Sequence, residues 1–466
     1  MTGDLGETPK FYWDVNDDGV AEAITDVPVW RPTLAAGEYH VTVCASNVEA
    51  GVGVTIAAEE GMTILPRPRV TVAASDPEVG ITGADIQRTI DAAERGTIVT
   101  IPAGTYDVKG TPIKVVKEIE LRGETGNPKD VVLKNTATHH RIMNVDGGPR
   151  CLIHSLTLAN GRGLKKDETG EFVSGLMVAA ESGFETASNA GRPGNTKGGC
   201  VSNVVVHGCS CGGNYGDPST VYLKGPKAKF THSVISNNSA QVAWNAKMFN
   251  TLALFVGGGA VAENVLVCNN TCTTSGSYPS WLTVPVTVNG AGSVLRFSTI
   301  VNNVGGLCGG VNVYNGGRFE HCVIAGGRAF DGGNELRRNV WTAYNYGENG
   351  RVGNNTVAGR ETEREAEAVN AAKESIYSIQ TNNAVDVVDC LNETTVYATT
   401  AELKPIYRKG AWRLPKGSPA IDVVPVKDVS GMPEKDLNGN RRLVNALYDL
   451  GAFELPNPCG LMLLVK

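Results

Sequence analysis

Ser155-Leu-Thr-Leu-Ala-Asn160, Val204-Val-Val-His-Gly208, Ser233-Val-Ile-Ser-Asn-Asn238, Val265-Leu-Val-Cys-Asn-Asn270, Ser298-Thr-Ile-Val-Asn-Asn303 and Cys322-Val-Ile-Ala-Gly-Gly327 are one phrase written six times. Each is a few apolar residues, then one or two Asn or Gly. Leu158, Val206, Ile235, Val267, Ile300 and Ile324 form a column through it, at steps of 48, 29, 32, 33 and 24 residues. The long first step holds an insertion. A second phrase, a short strand ending in a Gly turn, precedes the first in most repeats: Asn144-Val-Asp-Gly-Gly148, Val221-Tyr-Leu-Lys-Gly225, Leu254-Phe-Val-Gly-Gly258, Val286-Thr-Val-Asn-Gly290 and Val311-Asn-Val-Tyr-Asn-Gly-Gly317. Leu223, Phe255 and Val288 each stand 12 residues before a member of the first column. The unit is strand, Gly turn, strand, Asn turn and a variable loop. A unit so short cannot bury its apolar face alone, so copies must stack. With almost no helical period, the stack is a parallel β-solenoid.

The Asn positions fit that reading. Asn tolerates the left-handed backbone better than most residues, and an Asn at the same corner of each coil can bond its amide to the coils above and below. Asn160, Asn237, Asn269 and Asn302 are expected to form that ladder.

The chain has 466 residues, 56 Gly, 10 Phe and a net charge of −6. The charge is mild and the Lys and Arg are scattered, so nucleic acid and anionic membranes are not indicated as partners. No stretch of about 18 apolar residues suggests a membrane span, and Met1-Thr-Gly-Asp-Leu-Gly-Glu7 has no apolar signal core. Eleven Cys is an odd number, so not all can pair within one chain. Cys209, Cys211, Cys268 and Cys272 have spacings that suggest zinc. However, Cys211 and Cys272 fall two repeats apart, about 9–10 Å at ~4.8 Å per coil, too far for one ion or a disulfide. Most Cys therefore read as small stacked core residues.

Five segments are expected: a small β domain over 1–65, a linker over 66–80 around Pro66-Arg-Pro68, the solenoid over 81–415, a C-terminal segment over 416–456 and a tail over 457–466. In the first, Glu38–Ser46 alternates as one half-buried strand and Gly51–Ile56 as another. Asp14-x-Asn16-x-Asp18-Gly19 has the alternating oxygens and sharp-turn Gly of a calcium loop. The twelfth position, which should be acidic, is Thr25, so an acidic turn without metal is the competing reading. Thr82–Gly96 reads as one amphipathic helix with Ile86, Ile90 and Ala93 on a face, closed by Gly96. Glu361–Lys373 is a second, charged helix candidate.

Tyr12-Trp-Asp-Val-Asn-Asp-Asp-Gly19 with Ala36-Gly-Glu-Tyr-His-Val-Thr-Val43 resembles the second part of a PKD-like immunoglobulin fold. That resemblance implies a spacer or display module whose earlier strands are missing. Ile86–Val108, then Ile119-Glu-Leu-Arg-Gly-Glu124 and Val131-Val-Leu-Lys-Asn135, is similar to the opening of bacterial right-handed parallel β-helix proteins of the pectate-lyase-like superfamily. The resemblance implies a helix that plugs the first coil. Lys416-Gly-Ser-Pro-Ala-Ile-Asp422, Asp436-Leu-Asn-Gly-Asn-Arg441 and Asp449-Leu-Gly-Ala-Phe-Glu454 resemble the C-terminal signature of choice-of-anchor Q β-helix proteins. This implies a secreted or cell-surface bacterial protein whose signal and anchor lie outside the present chain. The fold expected is all-β, a right-handed parallel β-helix with an N-terminal capping helix, preceded by a partial immunoglobulin-like sandwich.

Loops after the Asn corner carry Tyr215 and Asp217, Trp244 and Lys247, and Tyr278 and Trp281. In one column they lie side by side, and Tyr215, Trp244, Tyr278 and Trp281 could line a groove where flat rings stack on sugars. Their packing against the solenoid is the competing reading. Lyases of this superfamily use a basic residue and acidic Ca²⁺ ligands, so the resemblance makes Asp217, Lys224 and Lys247 the catalytic candidates, with Arg296 and Arg318 also available. Hydrolysis needs two carboxyls flanking the bond, and Asp217 has no evident second. Asp167, Glu168, Glu181 and Glu185 sit in the long lateral loop. His154, His232 and His321 read as one column with Asn203, Asn264 and Phe297, a structural stack rather than a metal row. The function expected is binding of a polysaccharide or cell-surface glycan by a monomer, with Ca²⁺ the one cofactor suggested and lyase chemistry open. The alternative is a non-catalytic adhesin or display stalk.

Overall fold

The computed structural model describes residues 10–15, 18, 20–26, 37–39, 41–47, 52–57, 62–64, 66–138, 140–163, 173–180, 196–213, 219–242, 250–274, 283–305, 310–314, 317–325, 328–331, 334–336, 340–342, 378–381, 421–422, 424–425, 433–442, 447–449 and 451–455. The chain forms two units, Met1–Pro68 and Arg69–Lys466. In the first, Lys10–Asp14, Ala23–Thr25, Thr42–Asn47 and Val52–Ala57 make an antiparallel sheet, and Gly37–Tyr39 pairs with Met62–Ile64. The single strand expected over Glu38–Ser46 is therefore two strands in two sheets.

The second unit is a right-handed parallel β-helix with sheets of eight, fourteen and six strands. One coil runs Ser219–Lys224 in the eight-stranded sheet, Ala228–Ser236 in the fourteen-stranded sheet and Ser239–Val242 in the six-stranded sheet. The next begins at Asn250, in register with Thr283 of the coil after it. Val206 faces Leu158, Ile235 faces Val206, Val267 faces Ile235, Ile300 faces Val267 and Ile324 faces Ile300. Leu158, Val206, Ile235, Val267 and Ile300 are buried in one continuous core, each contributing about 1.5–3 kcal/mol of transfer free energy. In the eight-stranded sheet the inward column is Leu223, Val256, Val288 and Val313. Phe255, expected in that column, lies one residue out and stacks on Tyr222, with ring centroids 4.7 Å apart. The turn from Gly257 to Val261 is one residue shorter than the turns Lys224–Lys229 and Asn289–Val294 in the neighbouring coils, which moves the inward position to Val256.

Two residues share the corner job that one was expected to do. Asn160, Asn237, Asn269 and Asn302 adopt φ of 62°, 55°, 57° and 55° and turn the chain. Within that column Asn302 Nδ2 donates to Asn269 Oδ1 at 2.6 Å, one rung of the expected ladder, and the longer buried ladder is made by the next residue along. Asn238 Nδ2 donates to Asn270 Oδ1 at 2.9 Å, and Asn270 Nδ2 donates to Asn303 Oδ1 at 2.9 Å. Each second Nδ2 hydrogen goes to the main-chain carbonyl of Val206 or Ile235. The backbone N–H of Asn238 and of Asn270 adds a second bond to the same oxygen. Gly208 takes the first-Asn position in its coil, where a Cβ would meet Asn160 Oδ1 at 2.6 Å.

Helix α1, Gly83–Ala92, closes the first coil. Thr82 and Asp85 form a reciprocal cap at its start, and Ile86 and Ile90 are buried. It ends at Ala93 in extended conformation, not at Gly96, which turns the chain into the next strand at φ 84°. The residues expected to be linker include Arg69–Thr71, which pairs with Ile98–Thr100 in the solenoid. The helix candidate Glu361–Lys373 lies outside the described residues.

Replacing Asn270 by Ala removes the acceptor of the Asn238 N–H and Nδ2 and the side-chain donor to Asn303 Oδ1 and the Ile235 carbonyl. The expected loss is about 3 kcal/mol by chemical denaturation. Asn269→Gly keeps the positive-φ corner and is expected to cost clearly less.

Candidate functional site

The outward side of the eight-stranded sheet is the candidate site. Residues in register there are Asn144, Met177, Tyr222, Phe255, Thr287 and Asn312. They point away from the core, yet all six are buried. Met177, Tyr222 and Phe255 form their own apolar cluster with Val173 and Ala179. Around it the polar groups are poorly matched: Asn144 Oδ1, Ser174 Oγ, Ser219 Oγ and both amide atoms of Asn312 have no hydrogen-bond partner. Native proteins leave few such groups unpaired, since each costs about 1–3 kcal/mol. Thr251 Oγ1 does find Thr287 Oγ1, at 2.7 Å.

Lys224 ends one of these strands, on the same side as Tyr222, and is buried. Two coils earlier the corresponding place belongs to Asp146. Its Oδ1 accepts the backbone N–H of Lys197 at 2.6 Å and of Gly198 at 3.0 Å. Tyr215, Asp217, Trp244, Lys247, Tyr278 and Trp281 lie outside the described residues, as do Asp167, Glu168, Glu181 and Glu185. The strands that follow the first six in sequence are Ser219–Lys224, Asn250–Gly257 and Thr283–Asn289, neighbours in this sheet. Arg296 and Arg318 belong to the fourteen-stranded sheet, paired with Glu263 and Glu320. They are structural ion pairs on another sheet and do not join Lys224.

The histidine column also changes. His232 and His321 share a positive-φ corner with Ser155, Asn203, Asn264 and Phe297. His154 stands one residue earlier, facing Ser202, with Nε2 3.2 Å from Glu120 Oε1. Cys211 and Cys272 occupy one column with Ala240 between them. Burial pushes the Cys209 thiol up to about 12, which keeps it a thiol at neutral pH and a poor nucleophile.

In the first unit Asp14, Asp18 and Glu22 bring their carboxylate oxygens within 4.8 Å of one another. Asn16 lies outside the described residues. Thr25, tested as the closing ligand, sits on the partner strand, where its hydroxyl accepts from Trp13 Nε1 at 3.0 Å. The third carboxylate comes from Glu22, whose Oε2 also accepts the Val15 N–H at 2.9 Å.

The sequence motifs contain Asp436, Asp449 and Glu454, but their convergence on the buried Arg442 was not legible there. The C-terminal residues 433–442, 447–449 and 451–455 pack against the fourteen-stranded sheet. The Lys435 carbonyl accepts from Asn264 Nδ2 at 3.0 Å and lies 3.0 Å from His232 Nε2, and Gly451 N–H donates to the His321 carbonyl at 2.8 Å. Arg442 is fully buried and donates to Asn264 Oδ1 at 2.5 Å and Gly451 O at 2.9 Å. It lies 5.2 Å from the Phe297 ring centre and 3.4 Å from Glu454. Asp436, Asp449 and Glu454 share this one guanidinium. Burial, and then the neighbouring Asp449 charge, raise the Glu454 carboxyl to about 8. Perturbed groups often mark active sites, but here they are sealed against the solenoid and act as a latch.

No family model matches the chain, and no curated protein matches it. Among solved structures it is similar to the A-modules of mannuronan C-5 epimerases AlgE6 and AlgE4 from Azotobacter vinelandii. For AlgE6 the identity is 14%, covering 56% of this chain and 83% of that one, with a TM-score of 0.21. For AlgE4 the values are 15%, 56%, 71% and 0.19. A family 28 exopolygalacturonase from Yersinia enterocolitica is similar at 12% identity over 73% of this chain and 75% of that one, with a TM-score of 0.19.

A raised carboxyl binds its proton more tightly when docked than when free. The Glu454 contribution is thus fully present below the ordinary carboxylate value and is lost as pH rises through about 8. Amide protection of 447–449 and 451–455 is expected to fall between about pH 5 and pH 8, and Glu454→Gln to flatten that dependence, read by hydrogen exchange. A rise in protection over this range would contradict the assignment.

Proposed function

We propose that the protein is a secreted or cell-surface solenoid that binds a polysaccharide along the outward side of its eight-stranded sheet. The observation that carries the reading is the row of buried neutral polar atoms left unpartnered beside the stacked Tyr222–Phe255 pair. The row is at most 2% exposed, so a sugar reaches it only where the chain covering this face moves aside; its hydroxyls then supply both donors and acceptors, and its ring faces suit aromatic side chains. Binding is favoured over cleavage. The described residues of this face offer Lys224 and one carboxylate, Asp146, which is committed to holding a turn. Hydrolysis requires two carboxyls astride the bond.

Asn312 separates this role from a purely structural one. Both its amide atoms are unpartnered and it is 0% exposed. Asn312→Val is expected to leave stability unchanged or raise it by up to about 1 kcal/mol. Glycan affinity measured by calorimetry is expected to fall by about tenfold. A glycan array supplies the ligand. Appearance of an unsaturated uronate product, by its ultraviolet absorbance, would replace binding by lyase chemistry.

A second role is favoured in the first unit. The Asp14-x-Asn16-x-Asp18-Gly19 pattern and the convergence of Asp14, Asp18 and Glu22 fit a hard cation such as Ca²⁺. Such an ion takes six to eight oxygens, so main-chain carbonyls and water complete the shell. Millimolar Ca²⁺ is expected to raise the melting temperature of this unit, and Asp18→Asn with Glu22→Gln to abolish the increase.

A further inference from the structure

A cleft of about 270 Å³ opens at the edge where the eight-stranded sheet turns into the fourteen-stranded one. Its wall includes Arg95, Glu118, Lys197 and Lys227, with Val116 and Gly148 between. These residues precede the strands Ile98–Ile101, Glu120–Gly123, Leu152–Ala159, Gly199–His207 and Ala228–Ser236, which are consecutive neighbours in the sheet. The cleft therefore crosses five rungs, about 19 Å along the solenoid axis at ~4.8 Å per rung. In the next two coils the same turns read Gly258-Gly259 and Gly290-Ala291-Gly292, without charge.

Several cations elsewhere on the solenoid are committed to partners. Lys229 and Arg296 pair with Glu263, Arg318 with Glu320 and Arg88 with Asp85. Lys117 caps the carbonyls of Asp91 and Ala93. Among the described residues, Arg95, Lys197 and Lys227 have no ion-pair partner, and neither has Glu118. Three cations against one carboxylate leave the cleft at +2, on a chain whose net charge is −6. The nearby Asp146 is occupied by the backbone of the Lys197 turn, which it pins.

The turns are also fixed to one another. Gly148 N–H donates to the Gly198 carbonyl at 2.9 Å, and Gly199 N–H to the Lys227 carbonyl at 3.1 Å. A Cβ on Gly198, at φ 73°, would collide with the Lys227 main chain, so the two turns are in direct contact. Lys197 and Lys227 are thereby held on adjacent rungs, about one pyranose length apart.

We infer that this cleft binds the negatively charged groups of an acidic polysaccharide lying along the solenoid axis. The inference rests on the polysaccharide reading above and adds its charge class and a second contact line. Lys197 and Lys227, one rung apart, match charges that recur once per sugar, Arg95 stands three rungs further along, and Val116, 52% exposed, offers apolar surface to a ring face. Carboxylates and sulfates share the required chemistry.

The test is calorimetric titration of the full chain with polygalacturonate, dextran sulfate, neutral dextran and polyadenylate, at low and high salt. Tighter binding of at least one charged glycan than of dextran is expected, weakening with salt. Lys197→Ala with Lys227→Ala is expected to cost about tenfold in that affinity while leaving the melting temperature unchanged, since both side chains are exposed. The choice between polygalacturonate and dextran sulfate assigns carboxylate or sulfate. Preference for dextran, or affinity for the charged glycan untouched by the double variant, overturns this inference and leaves the sheet-face reading standing. Polyadenylate bound most tightly and lost in the double variant overturns it in favour of a polyphosphate. No binding to any glycan, here or on the array, overturns both readings.

Discussion

Each coil must turn the same corner at the same height. The chain meets that requirement with two adjacent residues, one tolerating a left-handed backbone and one bridging to the next coil. Asn269 turns at φ 57°, and Asn270 then receives two N–H bonds on one oxygen while giving both amide hydrogens away. A buried amide with all its valences met specifies register as well as stability, because any slip leaves several groups unpaired at once. The apolar columns follow from that register, since Ile235, Val267 and Ile300 can meet only when the corners coincide.

Register also fixes what the outside presents. On the fourteen-stranded sheet the outward charges pair across rungs, with Glu263 between Lys229 and Arg296. The C-terminal stretch then covers part of that face, bringing Arg442 to Asn264. The eight-stranded sheet is different. Its outward row is neutral and buried, and several of its atoms are unmatched. A solenoid that served only as a spacer has no reason to keep such atoms, because apolar replacements of similar shape are neutral or stabilising. These unmatched atoms beside the Tyr222–Phe255 pair are the support for the proposed binding face.

The inner architecture was readable because it repeats. Six copies of one phrase placed Leu158, Val206, Ile235, Val267, Ile300 and Ile324 in one column, and backbone pairing follows it. Readings failed where one residue of offset mattered. Phe255 reads as the inward residue in place of Val256 because the turn from Gly257 to Val261 is one residue short, which a fixed 12-residue spacing does not show. The first Asn of each pair reads as the ladder because corner and amide bridge are adjacent Asn residues; Asn302 does bridge to Asn269, but the longer buried run is Asn238, Asn270 and Asn303. His154 was aligned with His232 although Ser155 holds the corner. Glu22 was passed over because the motif was tested at its twelfth position. The Arg442 cluster had no local signal, since Arg442 and Asn264 are 178 residues apart in sequence.

The same spacing governs recognition. Strands stacked at ~4.8 Å turn any residue type repeated at one corner into a row with that period. In the core the row is apolar, at the Asn corner it is amide, and at the Gly-turn edge Lys197 and Lys227 make it cationic. Glycans are also linear lattices of repeated groups, with a repeat close to one rung. A solenoid can therefore read a polymer without a shaped pocket, by setting a few unpaired groups at successive rungs and letting the turns hold them still. Where Gly258-Gly259 and Gly290-Ala291-Gly292 replace the cations, the lattice ends. The length of chain recognised is then set by how many coils carry charge, and the direction of the polymer by the axis of the stack.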